Sequence, residues 1–302
     1  MINKRINFYL SKNFRTGGNL YNYSVINALQ KKNDLKAIPP IQYSGRGRTY
    51  LQLFKASFID ILHRNKICIY DQEYGSFKFL NIGKKVIYIF HHYDIKEHQN
   101  NKRKHKILFN NSIRLMKKSM KVITVSKYWQ DLLTDKYKIN NVETISNALD
   151  MNDYLLKTDK KDFYKKNNLE DKPIIYIGKN SIAKTQFTYE KIKFLSPKFN
   201  IITTGKIKEF DGPINLELSF QEYVNLLFLS KITILLTNFA EGWNRIAHES
   251  LICDTPVIGL KGSGGMEELL TMSGQKILDK ESLSNIENII NSTINHIDID
   301  KK

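Results

Sequence analysis

The chain is short of the residues that staple a fold from outside. Its only cysteines in 302 residues, Cys68 and Cys253, lie far apart and beside apolar neighbours, so they read as two buried thiols and not as a disulfide or a metal site. There is no internal repeat and no low-complexity tract. No stretch approaches the roughly 18 apolar residues that would span a bilayer, and no apolar segment follows Met1 as a secretory leader would require. The protein is therefore expected in the cytosol. Acid is the other scarcity: residues 1–150 carry 27 Lys and Arg against 10 Asp and Glu, whereas residues 151–302 carry 20 against 20.

That asymmetry places the whole net charge of +17 in the first half. A genome biased toward lysine codons would have charged both halves alike. A basic face suits nucleic acid, anionic lipid headgroups or a phosphorylated acceptor. Nucleic acid is the least favoured of these, because no nucleic-acid motif is recognisable and the charge is not interleaved with aromatic stacking residues. With 41% hydrophobic residues the chain can bury two ordinary cores, and its length suits two domains, expected at 1–150 and 151–302.

One stretch organises the rest, KITILLTNFAEGWNRIAHESLICDTPVIGLKGSGGMEE from Lys231 to Glu268. Ile232–Leu236 predicts a buried strand, Asn238–Gly242 a loop, Asn244–Cys253 a helix and Thr255–Leu260 the next strand. In open α/β sheets ligands lie outside the carboxyl ends of strands, which is where Glu241 falls. Glu249 follows inside a mostly apolar helix between two strands, where an acid without a partner is costly. Either glutamate alone reads as an ordinary surface acid; the context joins them. A carboxylate after a strand, glycine, a helix, a second carboxylate and a Thr-Pro-Val-Ile strand together resemble the Glu-x7-Glu signature of glycosyltransferase family 4, retaining transferases of the GT-B fold. In that family the segment looks like EGFGLxxxEAMACGTPVIA; here it is EGWNRIAHESLICDTPVIG.

Other segments carry the same resemblance. Lys4–Leu10 reads as a strand, a loop ends in Thr16-Gly17-Gly18, and a helical pattern runs from Leu20 to Lys32; glycines before a helix let backbone N–H groups approach an anion. The family carries a similar glycine pair beside the donor diphosphate and acceptor. Pro39-Pro40 and Gly45–Arg48 mark loops ahead of a helical stretch at Tyr50–Leu62, and Lys66–Tyr70 reads as a strand. Val86–Phe90 reads as a strand ending in His91-His92-Tyr93-Asp94, where family members often place one histidine near the transferred sugar; His91 is favoured and His92 is the alternative. Asn101–Lys121 packs eight Lys and Arg with Ile107, Leu108, Ile113, Leu115 and Met116, a basic amphipathic helix that suits either an anionic membrane or a solvated surface.

Lys121–Ser126 followed by a Tyr128–Tyr137 helix resembles the family's ADxVIAVS strand, and ETISNALD its VIPNGVD, with the glycine lost at Ala148; this sets the domain boundary near Asp150, followed by a polar linker to Lys172. Pro173–Ile177 then runs into Gly178-Lys179 and Lys184, at the positions where the family's VGRLxxxKG grips the donor diphosphate. Lysine at 179 keeps the charge without the guanidinium fork, and Thr185 replaces a glycine. Strands at Asn200–Thr204 and Ile214–Leu218 and a helix at Phe220–Leu229 continue the alternation. Gly262–Gly265 resembles the family's glycine-rich phosphate loop, and a last helix is expected at Glu281–Ile294, packing in relatives across the domain interface.

The resemblance implies two doubly wound Rossmann-like domains facing a cleft, and a hexosyl transfer from a nucleotide-diphosphate sugar to a glycan or lipid-linked acceptor by a front-face, retaining mechanism. No cofactor or metal is implied. Gly17, Gly18, Lys179, Lys184, Gly264 and Gly265 would meet the diphosphate region. Glu241, Gly242, Trp243 and Asn244 would line the sugar; Asn244 replaces a family glycine and tolerates a left-handed turn. Glu249 would accept from two ribose hydroxyls, and Arg245 adds a cation for phosphate or acceptor. Catalysis would rest on Glu241, His91 and Lys184. The expected place is the cytosol, or peripherally the inner face of the membrane through residues 101–121; the competing reading is a catalytically silent scaffold that binds nucleic acid or anionic membrane through its basic first half.

Overall fold

The structure is a computed structural model that describes residues 6–9, 17–31, 35–38, 67–72, 75, 85–93, 103–156 and 158–300. The chain divides between Ala148 and Leu149 into two compact units. The segments expected at Pro39-Pro40, Gly45–Arg48 and Tyr50–Leu62 lie outside the described residues, as do Thr16, Asp94, Asn101, Lys102 and the side chains of residues 103–106.

The first unit holds the parallel strands β1 (Ile6–Tyr9), β2 (Leu35–Ile38), β3 (Ile67–Tyr70), β4 (Lys85–Phe90), β5 (Lys121–Thr124) and β6 (Val142–Thr144), in the order β2-β1-β3-β4-β5-β6. Helices α1 (Gly17–Gln30), α2 (Arg103–Lys118) and α3 (Lys127–Asp135) accompany them. Strand order reverses at β1, the switch point where such sheets bind ligands. β4 is apolar because both its faces are covered: Val86, Tyr88 and Phe90 are buried, and so is Ile89. Phe90 meets Trp129 of α3 edge to face at 5.4 Å.

The pattern of α2 is answered inside this unit. Phe109, Ser112, Leu115, Met116 and Ser119 form its buried side, at helical spacing. Of the five expected anchors only Leu115 and Met116 are buried, while Ile107 is half exposed. Arg114, Lys117 and Lys118 lie on the solvent side, with Met120 just beyond. Among the described residues no helix is long and apolar enough to cross a membrane.

The second unit repeats the plan with β7 (Ile174–Lys179), β8 (Asn200–Thr204), β9 (Ile214–Leu216), β10 (Ser230–Leu235), β11 (Val257–Leu260) and β12 (Lys276–Leu278), all parallel in the order β12-β11-β10-β7-β8-β9. Its helices are α4 (Lys160–Lys166), α5 (Gln186–Ile192), α6 (Phe220–Leu229), α7 (Arg245–Ile252), α8 (Gly265–Met272) and α9 (Ile286–Asp300). This is the dinucleotide-fold strand order, and its switch point lies between β7 and β10. β10 shows why its run is apolar. Ile232, Ile234 and Leu236 enter the core shared with Ile175, Ile177 and Ile258, while Leu235 on the other face packs with Ala247, Val257 and Met266. Each fully buried side chain of this kind contributes about 1.5–3 kcal/mol. The last helix starts later than expected, after a 3-10 turn at Ser282–Asn285, and anchors Ile286 and Ile290 in the same core.

Candidate functional site

In the second unit the loops that leave β7 and β10 meet at the switch point. After β7 the chain turns through Ile182–Thr185 into α5. Thr185 fixes this turn: its hydroxyl donates to the Lys179 carbonyl (2.8 Å) and accepts from the Ser181 N–H (3.0 Å). The residue that replaces the family glycine is thus the staple of the loop. It sets Lys184 so that Nζ donates to both carboxylate oxygens of Glu241, at 3.2 and 3.4 Å, and lies 5.2 Å from the centre of the Phe239 ring. Glu241 is 6% exposed and the Lys184 side chain is about half exposed, at 49%, so the pair presents its cation outward. Lys179 is not drawn into this pair; its methylenes run along Gly205.

Glu241 is held by its backbone as well. It forms an isolated parallel bridge with Gly264: its N–H donates to the Ser263 carbonyl (2.9 Å) and its carbonyl accepts from the Gly265 N–H (3.0 Å). The Gly265 N–H, expected to face a phosphate, is therefore committed to Glu241. Gly264 has φ +67°, and an added Cβ would stand 2.9 Å from the Glu241 carbonyl oxygen and 3.0 Å from Ala240 Cβ. Gly264→Ala is expected to lower the thermal midpoint of this unit by several degrees and to weaken any ligand that needs Glu241, measured by thermal unfolding with and without ligand.

The sequence expected Asn244 to replace glycine in a left-handed turn. Instead its φ is −78°, and Oδ1 caps α7 by accepting from the Ala247 N–H at 2.9 Å. Gly242 is buried beside it. Trp243 donates from Nε1 to His248 Nδ1 (3.2 Å), with the rings edge to face at 5.8 Å. Burial lowers the His248 pKa.

Glu249 is the most engaged side chain of the site. It is 4% exposed. Its Oε1 accepts from the Tyr154 hydroxyl (2.7 Å) and from Arg245 Nε one helical turn earlier, and Oε2 accepts from the Tyr223 hydroxyl (2.6 Å). Arg245 Nη2 also reaches the Tyr154 hydroxyl at 3.4 Å. Arg245 is thus turned inward onto Glu249. Tyr154 follows a 3-10 turn capped by Asp150, and Tyr223 lies on α6. Neither tyrosine is singled out by the sequence, since both contacts are distant in it. Only the Arg245–Glu249 spacing of four residues within a helix is a readable sign. Cys253 lies nearby with its thiol pushed up to about 12, by burial first and by Glu249 second. Both cysteines are buried, and neither is in a disulfide.

In the first unit, β3 and β4 deliver a second group of polar residues to their carboxyl ends. Gln72 clamps the backbone of the histidine pair: Oε1 accepts from the N–H groups of His91 (2.9 Å) and His92 (3.2 Å), and Nε2 donates to the His92 carbonyl (2.6 Å). His91 Nε2 lies 3.3 Å from the amide oxygen of Asn22, and its ring meets Tyr21 edge to face at 5.4 Å. Both partners belong to α1, which opens with Gly17 and Gly18. The glycine pair and His91 are therefore joined through one helix. An amide oxygen only accepts, so the ring proton sits on Nε2 and Nδ1 carries the lone pair. Gln72 and Asn22 carry no family signature and were not legible as site residues.

Burial, and then the charge of His92, lower the His91 pKa from 6.5 to about 3. The folded state therefore binds fewer protons than the unfolded chain between these values, and stability rises with pH across that window. The His91 contribution is full above about pH 6.5 and is lost as the pH falls toward 3. Thermal scans at pH 4 and pH 7 are expected to differ less in His91→Asn than in the unmodified protein.

Two six-stranded parallel sheets, each wound with helices, define the fold as that of the two-domain GT-B glycosyltransferases. The chain is similar over nearly its whole length to solved members of that fold. Sucrose-phosphate synthase from Thermosynechococcus elongatus matches with a TM-score of 0.73 at 13% identity, over 96% of this chain and 89% of the other. HepE of Anabaena in complex with UDP-glucose matches with a TM-score of 0.74 at 16% identity, over 97% and 90%. WaaG, a glycosyltransferase involved in lipopolysaccharide biosynthesis, matches with a TM-score of 0.75 at 9% identity, over 96% and 90%. No family model and no curated protein matches the sequence.

Proposed function

We propose that the protein is a retaining glycosyltransferase of the family 4 kind, moving a hexosyl group from a nucleotide-diphosphate sugar to a glycan or lipid-linked acceptor. The observation that carries the reading is the Lys184–Glu241 pair at the switch point of the second sheet, bridged through the backbone to the glycine loop that starts α8. A cation directed outward beside a buried carboxylate suits a substrate with diphosphate charge and sugar hydroxyls in adjacent parts. Lys184 meets the leaving diphosphate as charge builds on it, and Lys179 adds a second cation nearby. Glu241 accepts from hydroxyls of the transferred sugar and does not attack it. His91, neutral and bearing its lone pair on Nδ1, accepts from a sugar hydroxyl. Glu249 meets the ribose. The reaction proceeds without a resident metal.

Support comes from the neighbours, one of which carries UDP-glucose while another is itself called a glycosyltransferase. The exposed basic side of α2, with Ile107 and Met120 beside Arg114, Lys117 and Lys118, fits an acceptor presented at an anionic surface.

The test is a thermal-shift screen against UDP-, GDP- and ADP-sugars and their free nucleotides. A donor at ~100 times its dissociation constant adds about 2.7 kcal/mol to stability. One nucleotide class should stabilise, and the anomeric proton of the product should show retention by NMR. No shift with any donor, together with salt-sensitive binding to nucleic acid or to phosphatidylglycerol vesicles, favours the silent scaffold.

A further inference from the structure

An ionised carboxylate offers about four positions to hydrogen-bond donors, two on each oxygen. On Glu249 three are already taken: Oε1 by Tyr154 and Arg245, and Oε2 by Tyr223. None of the three donors is loosely placed. Tyr154 is 4% exposed and packs edge to face on Phe220 at 5.7 Å. Tyr223 stands 6.0 Å from the buried Tyr176, whose hydroxyl is itself paired with Thr204 Oγ1 at 2.9 Å. Arg245 is anchored at both ends of its contact, to Glu249 and to Tyr154, and its side chain is 26% exposed. The glutamate side chain itself is only 5% exposed. What remains is one acceptor position, on Oε2.

We propose that Tyr154, Tyr223 and Arg245 form a three-donor clamp that limits Glu249 to reading a single hydroxyl of a nucleoside diphosphate, where an open carboxylate would read the 2′ and 3′ hydroxyls together. The proposal rests on the nucleotide-sugar reading above and specifies how the ribose is recognised. The tyrosines and Arg245 are positioning residues, acting on the ligand through Glu249. Nucleotides modified at the hydroxyl that Glu249 does not read remain ligands.

The experiment is calorimetric titration of the full chain with UDP, GDP and ADP, followed by the 2′-deoxy and 3′-deoxy forms of whichever binds most tightly. A hydrogen bond to a charged group corresponds to about a tenfold to hundredfold change in affinity. One deoxy form is expected to bind at least about tenfold more weakly and the other within about twofold of the parent. Tyr223→Phe frees the second position on Oε2, so in that variant the formerly tolerated deoxy form is expected to lose affinity by several-fold. A purely packing role for Tyr223 would weaken all three ligands by the same factor and leave their ratios unchanged.

Equal losses with both deoxy forms in the unmodified protein mean that the clamp opens to the whole diol, and the proposal fails. No loss with either means that Glu249 does not read the ribose; the proposal then fails while the transferase reading stands on diphosphate binding. If none of the three diphosphates binds, the transferase reading itself is lost and the ribose proposal with it.

Discussion

Lys184→Ala is expected to lower kcat by about 10²–10³-fold while shifting the thermal midpoint by only a degree or two. The two effects separate because the pair is asymmetric. On the lysine side the side chain is about half exposed, at 49%, so its contribution to folding is that of a screened ion pair, up to about 1 kcal/mol. Its expected effect on the proposed reaction is larger, because a fixed cation aimed at a developing negative charge contributes about 3–4 kcal/mol to the transition state. Lys184→Arg keeps the charge and should recover much of the rate. Steady-state kinetics beside thermal unfolding decide the matter. Unchanged kcat in Lys184→Ala would make the lysine a mere partner of Glu241 and would remove the observation on which the proposed function stands.

Glu249→Ala has the largest expected effect on folding, with the thermal midpoint falling by about 10 °C, or about 3–5 kcal/mol for a unit of this size. The substitution removes the acceptor of three donors at once, and two of them, Tyr154 and Arg245, would be left facing each other across the gap. Glu249→Gln should fall less, since the amide oxygen still accepts from a tyrosine while its NH₂ group faces donors. Thermal unfolding of both variants without ligand tests the ranking. Equal midpoints for Ala, Gln and the unmodified protein would show that the clamp does not stabilise the fold. Loss of nucleotide binding in Glu249→Ala therefore cannot by itself be assigned to the ligand contact; the ratio between deoxy analogues carries that information.

The strand–loop–helix–strand unit from Lys231 to Leu260 was legible because each signal in it is local. The apolar run of β10 is covered on both faces, and the helix expected at Asn244–Cys253 is found at Arg245–Ile252, although Asn244 caps it where a left-handed turn was expected. The short edge strands β2, β6 and β12 were not legible. Three or four residues carry too little periodicity, and edge position relaxes the demand for an apolar run.

The site follows the same division. Glu241 and Lys184 were readable from their place after strands. Arg245 was seen as an extra cation for the ligand, although its spacing from Glu249 allowed the inward contact the structure shows. Tyr154 and Tyr223 were invisible, because a hydroxyl 95 or 26 residues away in sequence leaves no pattern beside its acceptor. Asn22 and Gln72 escaped for the same reason, since amides that orient backbone or imidazole look like any surface amide until the sheet brings them together.

The bridge between Glu241 and Gly264 has a consequence for anyone who would redesign the ligand preference of this site. The loop after β10 and the start of α8 are one mechanical part made of two stretches of chain. A library that varies positions 238–244 against a fixed 261–265 samples backbones that the second loop rejects, and any side chain added at 264 would press on Ala240 and the Glu241 carbonyl. Productive variants must be grafted as matched pairs of loops, and a lineage that acquires a new ligand should record the change at both places together.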